Sequence, residues 1–169
     1  MKTEQPYRTC PGGRIVSRSE LPEILEDLRE SGLKIVFTNG CFDLLHPGHV
    51  KLLEKAKSLG DRLIVALNSD ESVRRLKGEG RPINPFAHRS QVIASVCWVD
   101  FVTAFEEDTP FEIIREVKPD ILVKGGDWSS DRIVGKDLVE KRGGQVYAIE
   151  FEEGYSTTSI IDRIRNLDL

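Results

Sequence analysis

The sequence predicts an α/β fold, in which a parallel sheet of five strands is covered by helices on both faces. Short apolar runs alternate with amphipathic stretches along the chain, and this alternation is typical of successive strand–helix units. Three of the apolar runs are continuous at their centres, as expected for strands that are buried on both faces of a parallel sheet. Ligands of such folds bind beyond the carboxyl ends of the strands, so the loops after the strands are the places to look for a site.

Each predicted element follows from a local pattern. Residues 1–18 are predicted to be extended, and a helix follows in "SRSELPEILEDLRESG", with Ser19 as its cap and Gly32 at its end. We divide the chain into an N-terminal extension with its helix, residues 1–30, and one domain over residues 31–169. The predicted strands are 34–38, 62–67, 98–105, 120–124 and 145–149, and apolar residues at helical spacing predict helices in 52–59, 89–97, 111–117 and 160–167.

Composition excludes several classes of protein. The net charge is −4, so we expect no general affinity for nucleic acid or for an anionic membrane, and a bound anion must be held by a local cluster. The three cysteines are odd in number and widely spaced, which predicts neither a disulfide framework nor a zinc pair and favours a reducing, cytoplasmic location. The N-terminus lacks the apolar stretch of a signal peptide, and no segment is long enough to span a bilayer.

The tetrapeptide "HPGH", residues 46–49, lies between the first predicted strand and the start of the helix that follows it. Gly48 allows backbone to come close to a ligand, and Pro47 restricts the approach to the helix. The free N–H groups and positive dipole at this helix start, flanked by the imidazoles of His46 and His49, predict a pocket for a phosphate group. The preceding Asn39-Gly40 adds a tight turn with exposed amides.

Two other interpretations of the histidines stay open at this point. They can be surface or helix-capping residues with no ligand. They can also form a metal site together with Cys41, because cysteine and histidine are zinc ligands, although this spacing matches no common zinc pattern.

Several motifs together resemble a known family. "FTNGCFDLLHPGHVKLLEKAKSLGDRLIVALNSD" resembles the opening of the HxGH nucleotidyltransferases, and "RLKGEGRPINP", "FEEDTP", "KPDILVKGGDW" and "GYSTTSIIDRI" resemble the bacterial heptose-1-phosphate adenylyltransferases. The resemblance covers about residues 30–166. It implies a Rossmann-like, doubly wound five-stranded sheet of strand order 3-2-1-4-5, in which "HPGH" and residues 125–127 face each other across one crevice.

The resemblance also implies an activity. AMP is transferred from ATP to a sugar 1-phosphate, D-glycero-D-manno-heptose 1-phosphate in this family, giving ADP-heptose and pyrophosphate. Mg²⁺ enters with ATP (or CTP) without a dedicated protein metal site, and the protein is a cytoplasmic homodimer. The alternative is a cytidylyltransferase that makes CDP-glycerol from glycerol 3-phosphate. The segment "HVKLLEKAKSLGD" slightly favours this alternative. A nucleotide sensor without catalysis and a metal-dependent hydrolase are the competing classes.

The roles implied for single residues fall into three groups. His46, His49 and Lys77 are assigned to catalysis. Nucleotide binding is assigned to Thr38, Asn39, Gly40, Phe42, Gly48, Arg89, Gly126, Asp127, Ser156, Thr157 and Thr158. Binding of the sugar phosphate is assigned to Asp43, Lys124 and Trp128.

Each assignment has a plainer alternative. Lys77 is predicted in a glycine-rich loop with neighbouring arginines, which can instead form a solvated basic face. Asp43 can be a turn residue, Arg89 can lock the loop by an ion pair instead of contacting phosphate, and Trp128 can simply be packed. Ser156 or Thr157 can cap the last helix whether or not it binds phosphate.

Overall fold

The structure is a computed structural model, and it describes residues 12–126, 133–150 and 154–167. One parallel sheet of six strands runs through these residues in the order β1-β4-β3-β2-β5-β6. The strands are β1 (Arg14–Ile15), β2 (Ile35–Gly40), β3 (Arg62–Asn68), β4 (Phe101–Phe105), β5 (Ile121–Gly125) and β6 (Gln145–Ile149).

The predicted sheet of five strands in the order 3-2-1-4-5 is wrong, because a sixth strand lies at the edge. Arg14 and Ile15 pair with Phe101 and Val102 of β4. A strand of two residues carries no periodic signal, so the sequence pattern could not predict it. The other five strands follow one another as β4-β3-β2-β5-β6. The point where strand order reverses, between β2 and β5, lies where it was expected.

Helices connect the strands on both faces of the sheet. They are α1 (Leu21–Glu30), α2 (Pro47–Lys57), α3 (Asp70–Lys77), α4 (Phe86–Ala94), α5 (Phe111–Val117), α6 (Lys136–Glu140) and α7 (Thr157–Arg165). Helices α3 and α6 were not predicted. Lys77 is the last residue of α3 and does not lie in the loop where it was predicted.

The start of α1 also differs from its prediction. Glu20 occupies the cap position, and its carboxylate accepts a hydrogen bond from the backbone N–H of Ser17 at 2.7 Å. The hydroxyl of Ser19 lies 2.9 Å from the hydroxyl of Ser17. The end of the helix is as predicted. Gly32 follows it with a φ of 67°, a left-handed conformation that glycine adopts without strain.

Two apolar clusters, one on each face of the sheet, form the core. The first packs α1, α5 and α6 against Ile35, Phe37 and Leu122. The second packs α2 and α4 against Val36 and Val123. Successive residues of β2 and β5 point to opposite faces, and both faces are covered, so residues 35–39 and 121–123 are all buried. This burial explains the continuous apolar runs in the sequence.

A crevice lies beside β2 because two of the central strands stop pairing before they end. β2 pairs with β3 as far as Gly40 and Leu67. Its pairing with β5 stops at Thr38 and Val123, although each strand continues for two more residues. The separation of the two strands at their carboxyl ends leaves room for a ligand at the point where strand order reverses. Within the described residues, no helix combines the length and apolarity that crossing a bilayer requires.

Candidate active site

A cavity of about 310 Å³ lies at the carboxyl ends of β2 and β5. It brings together segments that are far apart in the chain. The described residues that line it are Asn39, Gly40, Cys41, Phe42, Asp43, His46, His49, Leu52, Lys77, Arg81, Lys124, Gly125, Tyr155, Ser156, Thr157 and Thr158. Eleven of the residues assigned to the site from the sequence therefore surround one space; the roles assigned to them stay predictions.

Two helix starts meet at this cavity. Helix α2 begins just after His46, and helix α7 begins just after Ser156. A methyl group built on Gly48 would make a tight contact of 3.2 Å with the His46 ring and an ordinary contact of 3.8 Å with Cβ of Tyr155. The glycine therefore leaves room for the His46 ring beside the helix start. Both helix starts direct positive dipole ends toward the same region.

The start of α7 has a reciprocal cap. The hydroxyl of Ser156 accepts a hydrogen bond from the backbone N–H of Ser159 at 3.0 Å, and the backbone N–H of Ser156 donates to the hydroxyl of Ser159 at 3.2 Å. The predicted capping by Ser156 is confirmed. Thr157 and Thr158 lie in the first turn, where hydroxyls and free backbone N–H groups can both reach a phosphate oxygen.

His46 and His49 stack on each other, with ring centroids 3.7 Å apart and an interplanar angle of 23°. Burial lowers the pKa of His46. Burial lowers the pKa of His49 to about 4, and the neighbouring His46 contributes a smaller decrease. The backbone of Leu44 acts in the opposite direction, although Nδ1 of His49 forms no well-shaped hydrogen bond with a described residue. Both imidazoles are therefore neutral near pH 7 in the free protein. A bound polyphosphate would favour their protonated forms.

Asp43 anchors the loop that follows α3. Its carboxylate accepts hydrogen bonds from Nε of Arg81 at 2.6 Å and from the backbone N–H groups of Ile83 and Asn84, each at 2.9 Å. The side-chain amide of Asn84 in turn donates a hydrogen bond to the backbone carbonyl of Asp43 at 2.9 Å. Burial would raise the pKa of Asp43, but the two backbone bonds and the Arg81 guanidinium outweigh it and lower that pKa. These bonds occupy the carboxylate, so the geometry favours positioning of the loop over direct contact with the sugar phosphate.

Lys77, Arg81 and Lys124 give the cavity a local positive charge. Lys124 is the most enclosed of them, and burial lowers its pKa, with Lys77 acting in the same direction. Among the described residues, its Nζ donates only long hydrogen bonds, at 3.3 Å to Oδ1 and 3.4 Å to the carbonyl of Asn39. A partly buried ammonium group with so little compensation favours an anionic ligand.

Arg89 is buried inside α4, with 1% of its surface exposed. Its guanidinium donates to the carbonyl oxygens of Asn84 at 3.0 Å, Cys41 at 2.6 Å and Asn68 at 2.8 Å, and to the Asp70 carboxylate at 2.7 Å. Arg89 thus ties the ends of β2 and β3 to the loop before α4. This arrangement favours the locking role over the phosphate contact, which stays an untested prediction.

Comparisons with known proteins agree with this geometry. Residues 37–163 match the sequence profile described as cytidylyltransferase-like. The chain belongs to the cytidylyltransferase-like family. The bifunctional protein HldE of Actinobacillus succinogenes is 53% identical over 160 residues, which are 95% of this chain and 34% of that protein. HldE of Methylococcus capsulatus is 55% identical over 158 residues, 93% of this chain and 33% of that protein. The chain thus spans about one third of the length of these curated relatives.

Solved structures extend the comparison. The lipopolysaccharide core biosynthesis protein from Thermoplasma volcanium is 31% identical, with a TM-score of 0.58, over 74% of this chain and 100% of that one. Pantoate-beta-alanine ligase from Francisella tularensis is 19% identical, with a TM-score of 0.64, over 92% of this chain and 73% of that one. The second similarity concerns the fold alone.

Some residues assigned to the site lie elsewhere. Thr38 is fully buried in β2, and Gly48 packs against the His46 ring instead of lining the cavity. Gly126 follows β5 with a φ of 123° and is not part of the described lining. Asp127 and Trp128 lie outside the described residues.

The residue assignments left out five residues of the lining: Cys41, Leu52, Arg81, Gly125 and Tyr155. Gly125 and Tyr155 lie inside the quoted motifs "KPDILVKGGDW" and "GYSTTSIIDRI", and Gly125 was already predicted at the crevice. Arg81 had been weighed only as part of a basic run. The thiol of Cys41 approaches the Asn68 side-chain oxygen at 3.7 Å, and the described residues contain no group of three or more His, Cys, Asp or Glu side chains that could hold a metal ion.

Proposed function

We propose that this chain transfers AMP from ATP to a sugar 1-phosphate, namely D-glycero-D-manno-heptose 1-phosphate, and so forms ADP-heptose and pyrophosphate. One observation carries the proposal: two helix starts, a stacked pair of histidines and three cationic side chains surround a single cavity. The relatives named HldE and the lipopolysaccharide core biosynthesis protein support the sugar acceptor.

The reaction needs positioning and charge stabilisation and no covalent enzyme intermediate. An oxygen of the acceptor phosphate forms a bond to the α-phosphorus of ATP. The bond from that phosphorus to the oxygen bridging to the β-phosphate breaks, and pyrophosphate leaves with the electron pair. In this proposal His46 and His49 stabilise the charge that develops on the phosphate oxygens. Ser156, Thr157 and Thr158 hold the β- and γ-phosphates at the second helix start, and Lys77 neutralises the leaving group.

A cytidylyltransferase that makes CDP-glycerol is the second candidate, favoured by the cytidylyltransferase-like profile over residues 37–163. An assay of pyrophosphate release distinguishes the two, with ATP or CTP offered against heptose 1-phosphate and glycerol 3-phosphate. We expect turnover with ATP and heptose 1-phosphate. Turnover with CTP alone would refute the adenylyl assignment, and nucleotide binding without any release would indicate a sensor.

Three further features belong to this proposal. Mg²⁺ enters as part of the nucleotide substrate and is held mainly by phosphate oxygens and water. Asp43 is the one carboxylate in the described lining, and it is already bonded to Arg81 and two backbone N–H groups. The protein acts as a cytoplasmic homodimer, and light scattering of the purified chain measures the mass that tests the dimer.

A further inference from the structure

The two edges of the sheet differ in how open they are to another strand. Edge strand β1 has two residues, and one of them is the charged Arg14. Edge strand β6 has five residues, Gln145–Ile149, none of which is charged, glycine or proline. Within the described part of the chain, no strand pairs with the outer side of β6. Open edges pair with other chains unless charges, prolines or very short strands prevent it, and β6 has none of these features.

The hydrogen bonds of β6 show which of its backbone groups point away from the sheet. The N–H of Gln145 and the carbonyl of Ile149 bond to backbone groups at the two ends of β5, at 2.9 Å each. Successive residues of a strand direct their N–H and C=O groups to alternate sides, so residue 147 also faces β5. Val146 and Ala148 therefore direct their backbone groups outward, and each offers one donor and one acceptor.

We propose that β6 pairs in antiparallel orientation with β6 of a second copy of this chain, so that two sheets join across a two-fold axis. A two-fold interface brings the same surface of both copies into contact, so the strand must fit its own reverse. In the register centred on Tyr147, Val146 lies opposite the partner's Ala148, and Gln145 lies opposite the partner's Ile149. This inference locates the homodimer proposed above and does not depend on the transfer reaction.

The outward backbone groups favour this register. With Tyr147 on the axis, Val146 and the partner's Ala148 exchange both of their hydrogen bonds, and the symmetric pair does the same. All outward donors and acceptors of the two residues are then used. A shift by one residue would place outward groups of one strand opposite residues whose groups face β5, and these bonds would be lost.

The side chain on the axis fits the same arrangement. Tyr147 is 37% exposed, and it would face the partner's Tyr147 in a non-hydrogen-bonded pair, where side chains come closest across two strands. Aromatic side chains stabilise such pairs. The Tyr147 hydroxyl lies 3.2 Å from Oε1 of Gln145 on its own strand, so the polar end of the ring has a partner that pairing does not remove.

The charges at the two ends of β6 favour the antiparallel orientation. The exposed Glu150 directly follows the strand, and the exposed Lys141 and Arg142 precede it. Antiparallel pairing brings the end of each strand to the start of the other, so opposite charges approach each other on both sides of the axis. An uncharged strand with opposite charges at its ends is complementary to itself, which favours a second copy over an unrelated strand.

A cysteine cross-link tests the register. Residues of a non-hydrogen-bonded pair have Cα atoms about 4.5 Å apart, within the range of about 4.4–6.8 Å that a disulfide spans. We expect Tyr147→Cys to become mainly a covalent dimer after mild oxidation with diamide, as seen on a non-reducing gel. Gln145→Cys is the matched control on the same strand, because its two copies would lie about 14 Å apart along the strands. The wild-type chain, with Cys10, Cys41 and Cys97, gives the background.

A second variant tests the backbone bonds. Ala148→Pro removes an outward N–H, and an edge strand tolerates proline at such a position because the bonds to its neighbour stay intact. Ala148→Val keeps the donor and is the matched control. We expect light scattering to give twice the monomer mass for the wild-type chain and Ala148→Val, and the monomer mass for Ala148→Pro. Thermal melting checks folding, and the cross-link decides if Ala148→Pro does not fold.

Several results would overturn the proposal. A monomer mass for the wild-type chain at micromolar concentration would remove the dimer itself. A dimer that does not cross-link in Tyr147→Cys, that cross-links equally in Gln145→Cys, or that persists in folded Ala148→Pro would show that the copies meet at another surface or register. Pyrophosphate release is measured separately, so failure of the proposed reaction leaves this interface unaffected, and failure of the interface leaves the reaction unaffected.

Discussion

His46 and His49 lie side by side, largely out of contact with water, with only 7% of His46 exposed. Two positive charges at this separation would repel each other and lose hydration, so the free protein keeps both rings neutral near pH 7. A triphosphate bound as proposed would reverse this balance, because its negative charge favours imidazolium. The pair can therefore become positively charged when a phosphate group binds beside it, whereas a permanently charged residue carries its charge in the free protein as well.

This role predicts a loss of turnover on truncation. We expect His46→Ala and His49→Ala each to lower kcat by on the order of 100-fold, because each removes a donor that stabilises developing charge. His88→Ala is the matched control, since His88 is exposed and lies outside the cavity. Steady-state pyrophosphate release measures the effect. Turnover at the wild-type rate in either motif variant would remove that histidine from the mechanism.

The burial of His49 also predicts a pH dependence of stability. Its pKa is lowered from 6.5 to about 4 in the folded chain, so below pH 6.5 the unfolded chain binds a proton that the folded chain excludes. Stability from this residue is complete above pH 6.5 and is lost as the pH falls toward 4, by on the order of 3 kcal/mol. We expect His49→Gln to show a shallower fall in the free energy of unfolding from pH 6.5 to 5, measured by urea titration. An identical fall in both proteins would contradict the lowered pKa.

At the residue scale, sequence patterns predict best where the chemistry is local. "HPGH" and "GYSTT" each place polar groups at a helix start, so short motifs were enough to predict that His46, His49, Ser156, Thr157 and Thr158 belong to the site. The bonds of Asp43 and Arg89 join segments about forty or more residues apart in several cases, such as Arg89 to Cys41 and Asp43 to Asn84. No local spacing predicts such partners, so the sequence left their roles open between a ligand contact and a structural bond.

At the element scale, the loop between α3 and α4 depends on polar bonds more than on apolar burial. Ile83 is 52% exposed, whereas the backbone N–H groups of Ile83 and Asn84 are both held by the Asp43 carboxylate. The carboxylate also holds Arg81, which lines the cavity. This set of bonds therefore holds a cation of the loop, Arg81, at the cavity.

Asp43→Asn tests this anchor. The amide cannot hold both N–H groups and the guanidinium as a carboxylate does, so we expect a loss of stability of about 1–3 kcal/mol and faster hydrogen exchange at Ile83 and Asn84. Asp27→Asn, at an exposed position of α1, is the control. Exchange in these two residues as slow as in wild type would show that the loop is held by other contacts.

The elements that the sequence did not predict are the short or polar ones. Strand β1 has two residues, and its place is determined by the free edge of β4. Helix α3 has only Ser72 and Val73 buried, and α6 has five residues with only Val139 buried, so each has too few buried apolar residues to produce a repeated pattern. The strongly apolar strands and the longer helices were predictable because burial of one face or both faces leaves a periodic signal.

At the scale of the whole molecule, the net charge and the charge of the site have opposite signs. The chain carries a net charge of −4, and ATP is also an anion, so the long-range field opposes their encounter. In the proposed function, ATP binding depends on the short-range attraction of Lys77, Arg81 and Lys124 and of the starts of α2 and α7. Salt screens exposed charges strongly and enclosed ones weakly. The exposed Lys77 and the enclosed Lys124 should therefore respond differently to ionic strength.

This difference gives the last prediction. We expect the affinity for a non-hydrolysable ATP analogue to fall between dilute buffer and about 0.5 M KCl, a range over which the screening length shrinks severalfold. Lys77→Gln should flatten this dependence, because the exposed cation supplies the screened part of the attraction. Lys51→Gln, a neutralisation on α2 outside the described lining, is the control for the change in net charge. Calorimetric titration measures the affinity at each salt concentration. An affinity that rises with salt in the wild-type chain would mean that repulsion by the net charge outweighs the local cluster, and the proposed triphosphate cavity would then lack the electrostatic basis assigned to it.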